Sequence, residues 1–145
     1  MKASPARYLH GPNALTYIAI LAGLLTVFFA QEFGSPGLAG IMIGLACLAD
    51  SFDGAFARLF RRTDLQKKFG AQLDSLSDAM VFGALPVATE LIFLDFPSLS
   101  VQLLWLGAAL IYMIAVVTRL GCFDVEQAGS DNFVGLPTTI AGMFW

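Results

Sequence analysis

This 145-residue chain carries unusually little charge. Only 13% of its residues are Asp, Glu, Lys or Arg, whereas 57% are hydrophobic, and its mean hydropathy is +0.74. A soluble globular domain has roughly 25% charged residues. The composition therefore argues against a soluble domain and indicates an integral membrane protein. The net charge of −3 also argues against a nucleic-acid partner, since surfaces that bind nucleic acid are basic.

Histidine and cysteine are equally scarce. The chain has one histidine, His10, and two cysteines, Cys47 and Cys122, which lack the spacing of a metal site. We interpret both cysteines as small apolar side chains and assign His10 no role. Any metal chemistry therefore has to rest on oxygen ligands, which suit hard cations.

Long apolar runs make up most of the chain. Four of them fit the roughly 17–25 residues that cross a bilayer, and a shorter fifth run ends with the chain. The runs cover residues 14–30, 37–60, 71–93, 101–118 and 137–145. We expect an all-α, polytopic membrane bundle with four full spans and the start of a fifth. For the last run we favour truncation of a longer chain over a partial helix.

Basic residues are absent from alternate loops. All eight Lys and Arg residues fall on one side of the membrane if the spans alternate in direction. The opposite loops, QEFGSPG and LDFPSLS, contain none. This positive-inside pattern predicts that the segment between the second and third spans faces the cytoplasm.

Four aspartates flank that segment, at the ends of the second and third apolar runs. Asp50 and Asp53 are three residues apart and Asp74 and Asp78 are four apart, so each pair shares a helix face. Because the two spans run in opposite directions, the pairs meet at matching depth. A solvated helix end would explain one aspartate but not four. Ion or proton translocation is the serious alternative.

Clustered carboxylates repel one another unless cations neutralise them. Oxygen ligands suit hard divalent ions, so we expect two Mg²⁺ or Mn²⁺ ions here, and Ca²⁺ would also suit the site. Paired cations of this kind hold phosphate oxygens and assist in-line displacement at phosphorus. The predicted metal ligands are Asp50, Asp53, Asp74 and Asp78.

Small and basic residues are interleaved with the acids. Gly54 lets a ligand approach the helix backbone, Ala57 keeps the same face open, and Gly70 clears the start of the next helix. Arg58 offers a planar guanidinium to phosphate. Tight helix packing is the alternative for small residues, and we prefer it for the Gly-x-x-x-Gly at 40–44.

These residues form one motif. It reads Asp50-x-x-Asp53-Gly54-x-x-Ala57-Arg58 and then Gly70-x-x-x-Asp74-x-x-x-Asp78. The motif resembles the signature of the CDP-alcohol phosphotransferases, integral membrane enzymes of phospholipid synthesis that usually have six spans. Eleven residues separate Arg58 from Gly70, which is longer than is common in the family. The extra residues fall in RRTDLQKK, which we interpret as a polar loop.

Other stretches resemble the phosphatidylserine synthase branch of that family. They are PNALT at 12–16, LDSLSDAMVFGALPVA at 73–88, TRLGCFDV at 118–125 and NFVGLPTTIAG at 132–142. The resemblance implies one transmembrane domain over residues 1–145, truncated at its C-terminal end. It also implies transfer of the phosphatidyl group from CDP-diacylglycerol to L-serine, with release of CMP. A sister activity on glycerol 3-phosphate, inositol phosphate or choline is the alternative. An ion transporter or a non-catalytic membrane protein is the third hypothesis.

The resemblance also implies roles for single residues. The four aspartates would hold two divalent ions at the donor pyrophosphate. Asp78 would be the general base, since the last acid of the set can spare a lone pair for the incoming hydroxyl. The CDP part would contact Asp53, Gly54, Ala57, Arg58 and Gly70.

Three further residues are candidates with an open alternative. Arg119 would bind the serine carboxylate, or it is an interfacial arginine that reaches toward the headgroups. Asn13 and Thr16 would touch phosphate or nucleotide, or they are a helix cap and a hydroxyl that lines the helix. Because only Arg119 lies near the expected acceptor site on the fourth span, an unphosphorylated acceptor is favoured. The expected partners are thus CDP-diacylglycerol, L-serine and membrane lipids, and glycine-rich packing together with the resemblance favours a homodimer.

Overall fold

The computed structural model describes residues 11–126 of the protein, with side chains as far as residue 122. Within this range the fold is built from helices and contains no strand. The α-helices are α1 (Ala14–Phe33), α2 (Pro36–Ala57), α3 (Asp64–Asp78), α4 (Leu85–Phe93) and α5 (Leu99–Glu126). A 3₁₀ turn, Gly11–Asn13, precedes α1, and a π-helical segment, Ala79–Ala84, joins α3 to α4.

Four helical units are long and apolar enough to cross a membrane. They cover Gly11–Phe33, Pro36–Ala57, Asp64–Phe93 and Leu99–Cys122. The third unit combines α3, the π-helical segment and α4. The prediction of an all-α, polytopic membrane fold is confirmed. The predicted fifth run at 137–145 and the NFVGLPTTIAG stretch lie outside the described residues.

A tight turn makes α1 and α2 antiparallel neighbours. Gly34 adopts a left-handed conformation with φ 56°, and its N–H donates to the Ala30 carbonyl at 3.0 Å. The Ser35 hydroxyl accepts a hydrogen bond from the Leu38 N–H at 3.3 Å, and Pro36 occupies the first helical position. These signals end one helix and start the next within a few residues, so the two helices pack along their length.

The start of α3 differs from the sequence prediction. The Thr63 hydroxyl accepts from the Gln66 N–H at 3.3 Å, and Gln66 Oε1 accepts from the Thr63 N–H at 2.9 Å. This reciprocal capping box stabilises a helix start. The interpretation of RRTDLQKK as a loop is therefore wrong for its second half, because residues 64–68 form the first turns of α3. The connection between α2 and α3 shrinks to residues 58–63.

Small side chains let α1 approach the third helical unit closely. A Cβ added at Gly23 of α1 would lie 2.9 Å from Leu85 Cδ1 and 3.0 Å from Val81 Cγ1. The buried cluster at this contact consists of Ala22, Ala46, Val81 and Phe82. By contrast, a Cβ at Gly40 or Gly44 would meet nothing within 4 Å. The tight packing that we expected for those two glycines is therefore not found among the described residues.

The π-helical segment is tied to α5 by a side chain. In a regular α-helix the carbonyl of Phe82 would accept from the N–H four residues on, but that residue is Pro86, which has none. The Tyr112 hydroxyl of α5 donates to this carbonyl instead. Phe82 is fully buried, so the bond satisfies a polar group that lacks water. It fixes α5 against the helix that carries Asp78.

Candidate active site

Three of the four predicted carboxylates converge between α2 and α3. One oxygen each from Asp50, Asp74 and Asp78 lies within 4.8 Å of the others, and all three residues are half-buried. Ca²⁺ and Mg²⁺ bind oxygen at roughly 2.0–2.6 Å, so two ligands of one ion lie at most about 5 Å apart. The spacing of the three oxygens therefore suits one shared cation.

One oxygen of Asp78 is especially suited to a cation. Its Oδ1 atom is buried and has no hydrogen-bond partner within the described part of the chain. Burying a carboxylate oxygen without a donor is costly, and coordination to a cation removes that cost. Together with the all-oxygen donor set, this atom makes the cluster fit a divalent ion.

Asp53 is engaged differently from the other three acids. Thr16 Oγ1 of α1 donates to Asp53 Oδ2 at 3.1 Å, and Thr16 is only 5% exposed. The bond holds the Asp53 carboxylate at the edge of the cluster and joins α1 to α2. The hydroxyl of Thr16 thus orients a predicted metal ligand rather than merely lining its own helix.

A cavity of about 190 Å³ opens beside the cluster. It lies between the start of α1, the end of α2 and the first half of α3. Its lining residues are Pro12, Asn13, Thr16, Asp53, Gly54, Ala57, Arg62, Lys67, Gly70, Ala71 and Asp74. The motif's small residues Gly54, Ala57 and Gly70 all belong to this wall, and ligand binding at these residues stays a prediction. A Cβ at Gly54 would meet nothing within 4 Å, so the backbone of α2 is open to a ligand.

Asn13 and Arg62 lie on either side of Gly70. A Cβ added at Gly70 would lie 3.4 Å from Arg62 Nη1 and 3.5 Å from Asn13 Oδ1. Asn13 is 7% exposed and makes no side-chain capping bond at the start of α1. Asn13 thus occupies the N-cap position of α1 without the side-chain bond that the capping alternative implies, and its Oδ1 lies near Gly70 instead.

Two basic residues of the cavity were not predicted as site residues. Arg62 and Lys67 both line it, and both fall in the RRTDLQKK stretch that we interpret from the sequence as a polar loop. Lys67 precedes Gly70 by three residues and Asp74 by seven, which is the spacing of one helix face. That pattern is visible in the sequence once α3 is taken to begin at Asp64, with Thr63 as its N-cap.

The two predicted arginines lie elsewhere. Arg58 is exposed, its Nε donates to the Gly54 carbonyl at 3.0 Å, and it is not among the residues that line the cavity. Arg119 is half-buried in the last part of α5 and does not line the cavity either. Contacts of Arg58 with CDP and of Arg119 with serine stay predictions.

Comparison with known proteins identifies the family. The model of the CDP-alcohol phosphatidyltransferase family matches residues 9–144, nearly the whole chain. The chain belongs to this family. Membership agrees with the aspartate motif, the membrane-spanning helices and the cavity beside the acids.

Curated relatives of the chain carry related names. It is 34% identical over 133 residues to a CDP-diacylglycerol–serine O-phosphatidyltransferase of Mycobacterium tuberculosis, covering 87% of this chain and 44% of the relative. It is 35% identical over 135 residues to an archaetidylserine synthase of Methanothermobacter thermautotrophicus, covering 91% and 54%. A CDP-diacylglycerol–serine O-phosphatidyltransferase of Bacillus subtilis is 30% identical over 132 residues, covering 91% and 71%.

The chain spans about half the length of the mycobacterial and archaeal relatives. No solved structure matches the chain significantly.

Proposed function

We propose that the protein transfers the phosphatidyl group of CDP-diacylglycerol to L-serine, forming phosphatidylserine and releasing CMP. The observation that carries this proposal is the convergence of Asp50, Asp74 and Asp78 beside an open cavity, in a member of the CDP-alcohol phosphatidyltransferase family. Serine appears in the names of the mycobacterial, archaeal and Bacillus relatives, which supports it as the acceptor.

The aspartates would hold divalent cations, Mg²⁺ or Mn²⁺. Asp50, Asp74 and Asp78 would bind a shared ion, and Asp53, oriented by Thr16, would complete a two-ion site. Bound ions would neutralise the donor pyrophosphate and the charge that develops during displacement at phosphorus. Three half-buried carboxylates this close together support the need for cations.

The cavity would accept the CDP part of the donor. Gly54, Ala57 and Gly70 leave its wall with few bulky side chains, and the nucleotide can approach the backbone of α2 at Gly54, where an added Cβ would meet nothing within 4 Å. The Asn13 side chain offers an amide to a phosphate or hydroxyl group at the same place. Binding in this pocket would orient the reacting phosphorus toward the carboxylates.

Asp78 would act as the general base. It would take the proton of the serine hydroxyl while that oxygen forms its bond to the lipid-bearing phosphorus. The bond from this phosphorus to the CMP oxygen breaks, and CMP leaves with the electron pair. The deep position of Asp78 Oδ1, away from hydrogen-bond donors of the described residues, supports its choice over Asp53, which Thr16 already engages.

The distribution of Lys and Arg supports a site that faces the cytoplasm. L-Serine would then enter, and CMP would leave, through the aqueous phase on that side. The lipid tails of the donor would stay among the apolar helices while its headgroup reaches the carboxylates. A homodimer is part of the same proposal and rests on the family resemblance.

The proposal is tested by CMP release from CDP-diacylglycerol with Mn²⁺ or Mg²⁺ and one alcohol at a time. We expect release with L-serine, and we expect Asp78→Asn to lower the rate by about 10²-fold or more, because it removes the proton acceptor. Asp64→Asn is the matched control, since Asp64 is exposed at the start of α3 and outside the cluster. The control should retain nearly full activity.

Three outcomes would contradict the proposal in different ways. Release with glycerol 3-phosphate, inositol phosphate or choline, but not serine, would assign a sister activity. No release with any alcohol would favour a transport or non-catalytic role. Full activity of Asp78→Asn with L-serine would support serine as the substrate but would show that Asp78 is not the general base.

A further inference from the structure

The lining of the cavity beside the aspartates is chemically mixed. Along α3 it runs from Asp74, next to the carboxylate cluster, through Gly70 to Lys67, which is seven residues or about 10 Å away and marks a basic end. Small residues make up much of the remaining wall, namely Gly54, Ala57 and Ala71. A ligand that extends along α3 from the carboxylates therefore passes small residues and meets Arg62 beside Gly70 and then Lys67.

Lys67 reaches the cavity because α3 begins early. Lys67, Gly70 and Asp74 follow one another at intervals of three and four residues and thus share a helix face. The capping box formed by Thr63 and Gln66 establishes the helix ahead of Lys67. One turn of helix, about 5.4 Å, separates the lysine from Gly70 along the axis.

The ammonium of Lys67 can turn toward a ligand at low cost. Its only ion pair among the described residues is with Asp64, at 3.2 Å. The two side chains are 60% and 93% exposed. An exposed pair of this kind contributes little to stability, so exchanging it for a ligand contact is easy.

Arg62 lies beside Gly70. Its Nη1 atom is 3.4 Å from the position that a Cβ of Gly70 would occupy, so the guanidinium is adjacent to this glycine. Arg62 is half-buried, whereas its neighbour Arg61 is exposed and does not line the cavity. The guanidinium of Arg62 is therefore within reach of a group that binds beside Gly70.

Geometry decides which part of the donor meets these cations. The pyrophosphate belongs at the carboxylate end, where cations would bind. The two acyl chains must run from there along the apolar helices, toward the middle of the membrane. The nucleoside then has to extend the opposite way, over Gly54 and Gly70, toward the polar connection at residues 58–63.

We propose that Arg62 and Lys67 bind the nucleoside of the donor and that Arg62 selects cytosine. The base presents two adjacent acceptors, O2 and N3, which match the two parallel N–H donors of a guanidinium. Uracil presents an N3–H donor at the same edge, which an arginine cannot satisfy. Lys67 binds the ribose hydroxyls, which all nucleotides share. The assignment rests on the proposed function, because that function supplies the orientation of the donor.

The test measures binding of CDP and of UDP to the purified protein in lipid nanodiscs with Mn²⁺, by isothermal titration calorimetry. We expect Arg62→Gln to weaken CDP binding by about tenfold or more and to abolish most of the preference for CDP over UDP. Arg62→Lys should lose the preference as well, because it keeps the charge but not the fork. Lys67→Gln should weaken both nucleotides by a similar factor.

The controls are the neighbouring basic residues. Arg61→Gln and Lys68→Gln make the same change in net charge at positions that do not line the cavity, and they should stay within about twofold of the unaltered protein. Titration of Mn²⁺ alone should give the same affinity in all five variants. Such a result would separate nucleoside recognition from the general electrostatic field and from damage to the metal site.

Two results would overturn the inference while leaving the proposed function intact. One is an unchanged preference for CDP in Arg62→Gln. The other is an equal loss of CDP binding in the variants at 61 and 62. If the unaltered protein binds neither nucleotide, the proposed function fails, and the nucleoside site fails with it.

Discussion

The hydrogen bond from Thr16 to Asp53 sets the geometry of a carboxylate from another helix. Thr16 is only 5% exposed, so its hydroxyl has little access to water as an alternative partner. A fixed donor on one oxygen of Asp53 leaves the other oxygen with a defined direction. Groups that orient metal ligands in this way typically change metal affinity by about 10–100-fold when they are removed.

We expect Thr16→Val to raise the Mn²⁺ concentration for half-maximal activity by about tenfold or more, because the variant keeps the side-chain volume but lacks the donor. Thr26→Val is the matched control on the same helix. Thr26 is also buried, but its hydroxyl donates to the Ala22 carbonyl of its own helix at 3.1 Å. Similar Mn²⁺ curves for both variants would show that the bond to Asp53 has no role in metal binding.

Single residues also show what the sequence could and could not predict. The spacing of the four aspartates predicts that they converge, because helical periodicity and antiparallel spans bring them together. Asp50, Asp74 and Asp78 do so, whereas Asp53 is outside this group and accepts a hydrogen bond from Thr16. The sequence does not predict that Thr16 contacts Asp53 or that Asn13 lies near Gly70, since Thr16 and Asn13 come from the region of α1. Their contacts depend on how three helices pack, which no local pattern encodes.

At the scale of elements, the third helical unit combines two departures from regular structure. It begins earlier than its apolar pattern suggests, because the capping box at Thr63 stabilises a polar helix start. It then passes through the π-helical segment Ala79–Ala84 directly after Asp78. The early start was readable from Thr63 and Gln66 alone. The contact that ties the π-helical segment to α5 was not, since its donor, Tyr112, lies in another helix.

We expect Tyr112→Phe to lower the free energy of unfolding by about 1–3 kcal/mol, because it removes the hydroxyl that donates to the buried carbonyl of Phe82. Adding Pro86→Ala to this variant supplies a backbone N–H at the position that proline lacks, so part of the loss should return. Unfolding of both variants by denaturant in detergent measures the difference. Tyr17→Phe, the same chemical change on α1, serves as the control. A Tyr112→Phe protein as stable as the control would show that the bond contributes nothing.

At the scale of the whole molecule, the helices shield one another unequally. Only 11% of the most apolar window of α2 and of α5 is buried, compared with 39% for the first helical unit. Large apolar side chains such as Leu104 and Ile111 of α5 are at least 70% exposed. These surfaces are suited to contact with lipid or with further helices, which agrees with the polytopic fold predicted from composition.

The direction of the helices across the membrane is testable with thiol reagents. In a protein that retains only Cys122, an impermeant maleimide should label inverted vesicles but not intact cells, because positive-inside orientation puts the end of α5 in the cytoplasm. Asp95→Cys, in a chain without its two native cysteines, should show the opposite pattern. Both thiols are at exposed positions, so both should react after solubilisation in detergent. Labelling of Cys122 on intact cells would show that the end of α5 faces the outside of the cell.

The helical start of α3 also restricts how the length of this segment can change. Because a helix, and not a loop, carries Lys67 to the cavity, the direction of its side chain depends on the number of residues before Gly70. Three residues rotate a helix by about 300°, which is close to a full turn, whereas one or two rotate it by about 100° or 200°. Insertions and deletions between Lys67 and Gly70 thus keep the lysine directed toward the cavity only when their length is close to a whole number of helical turns.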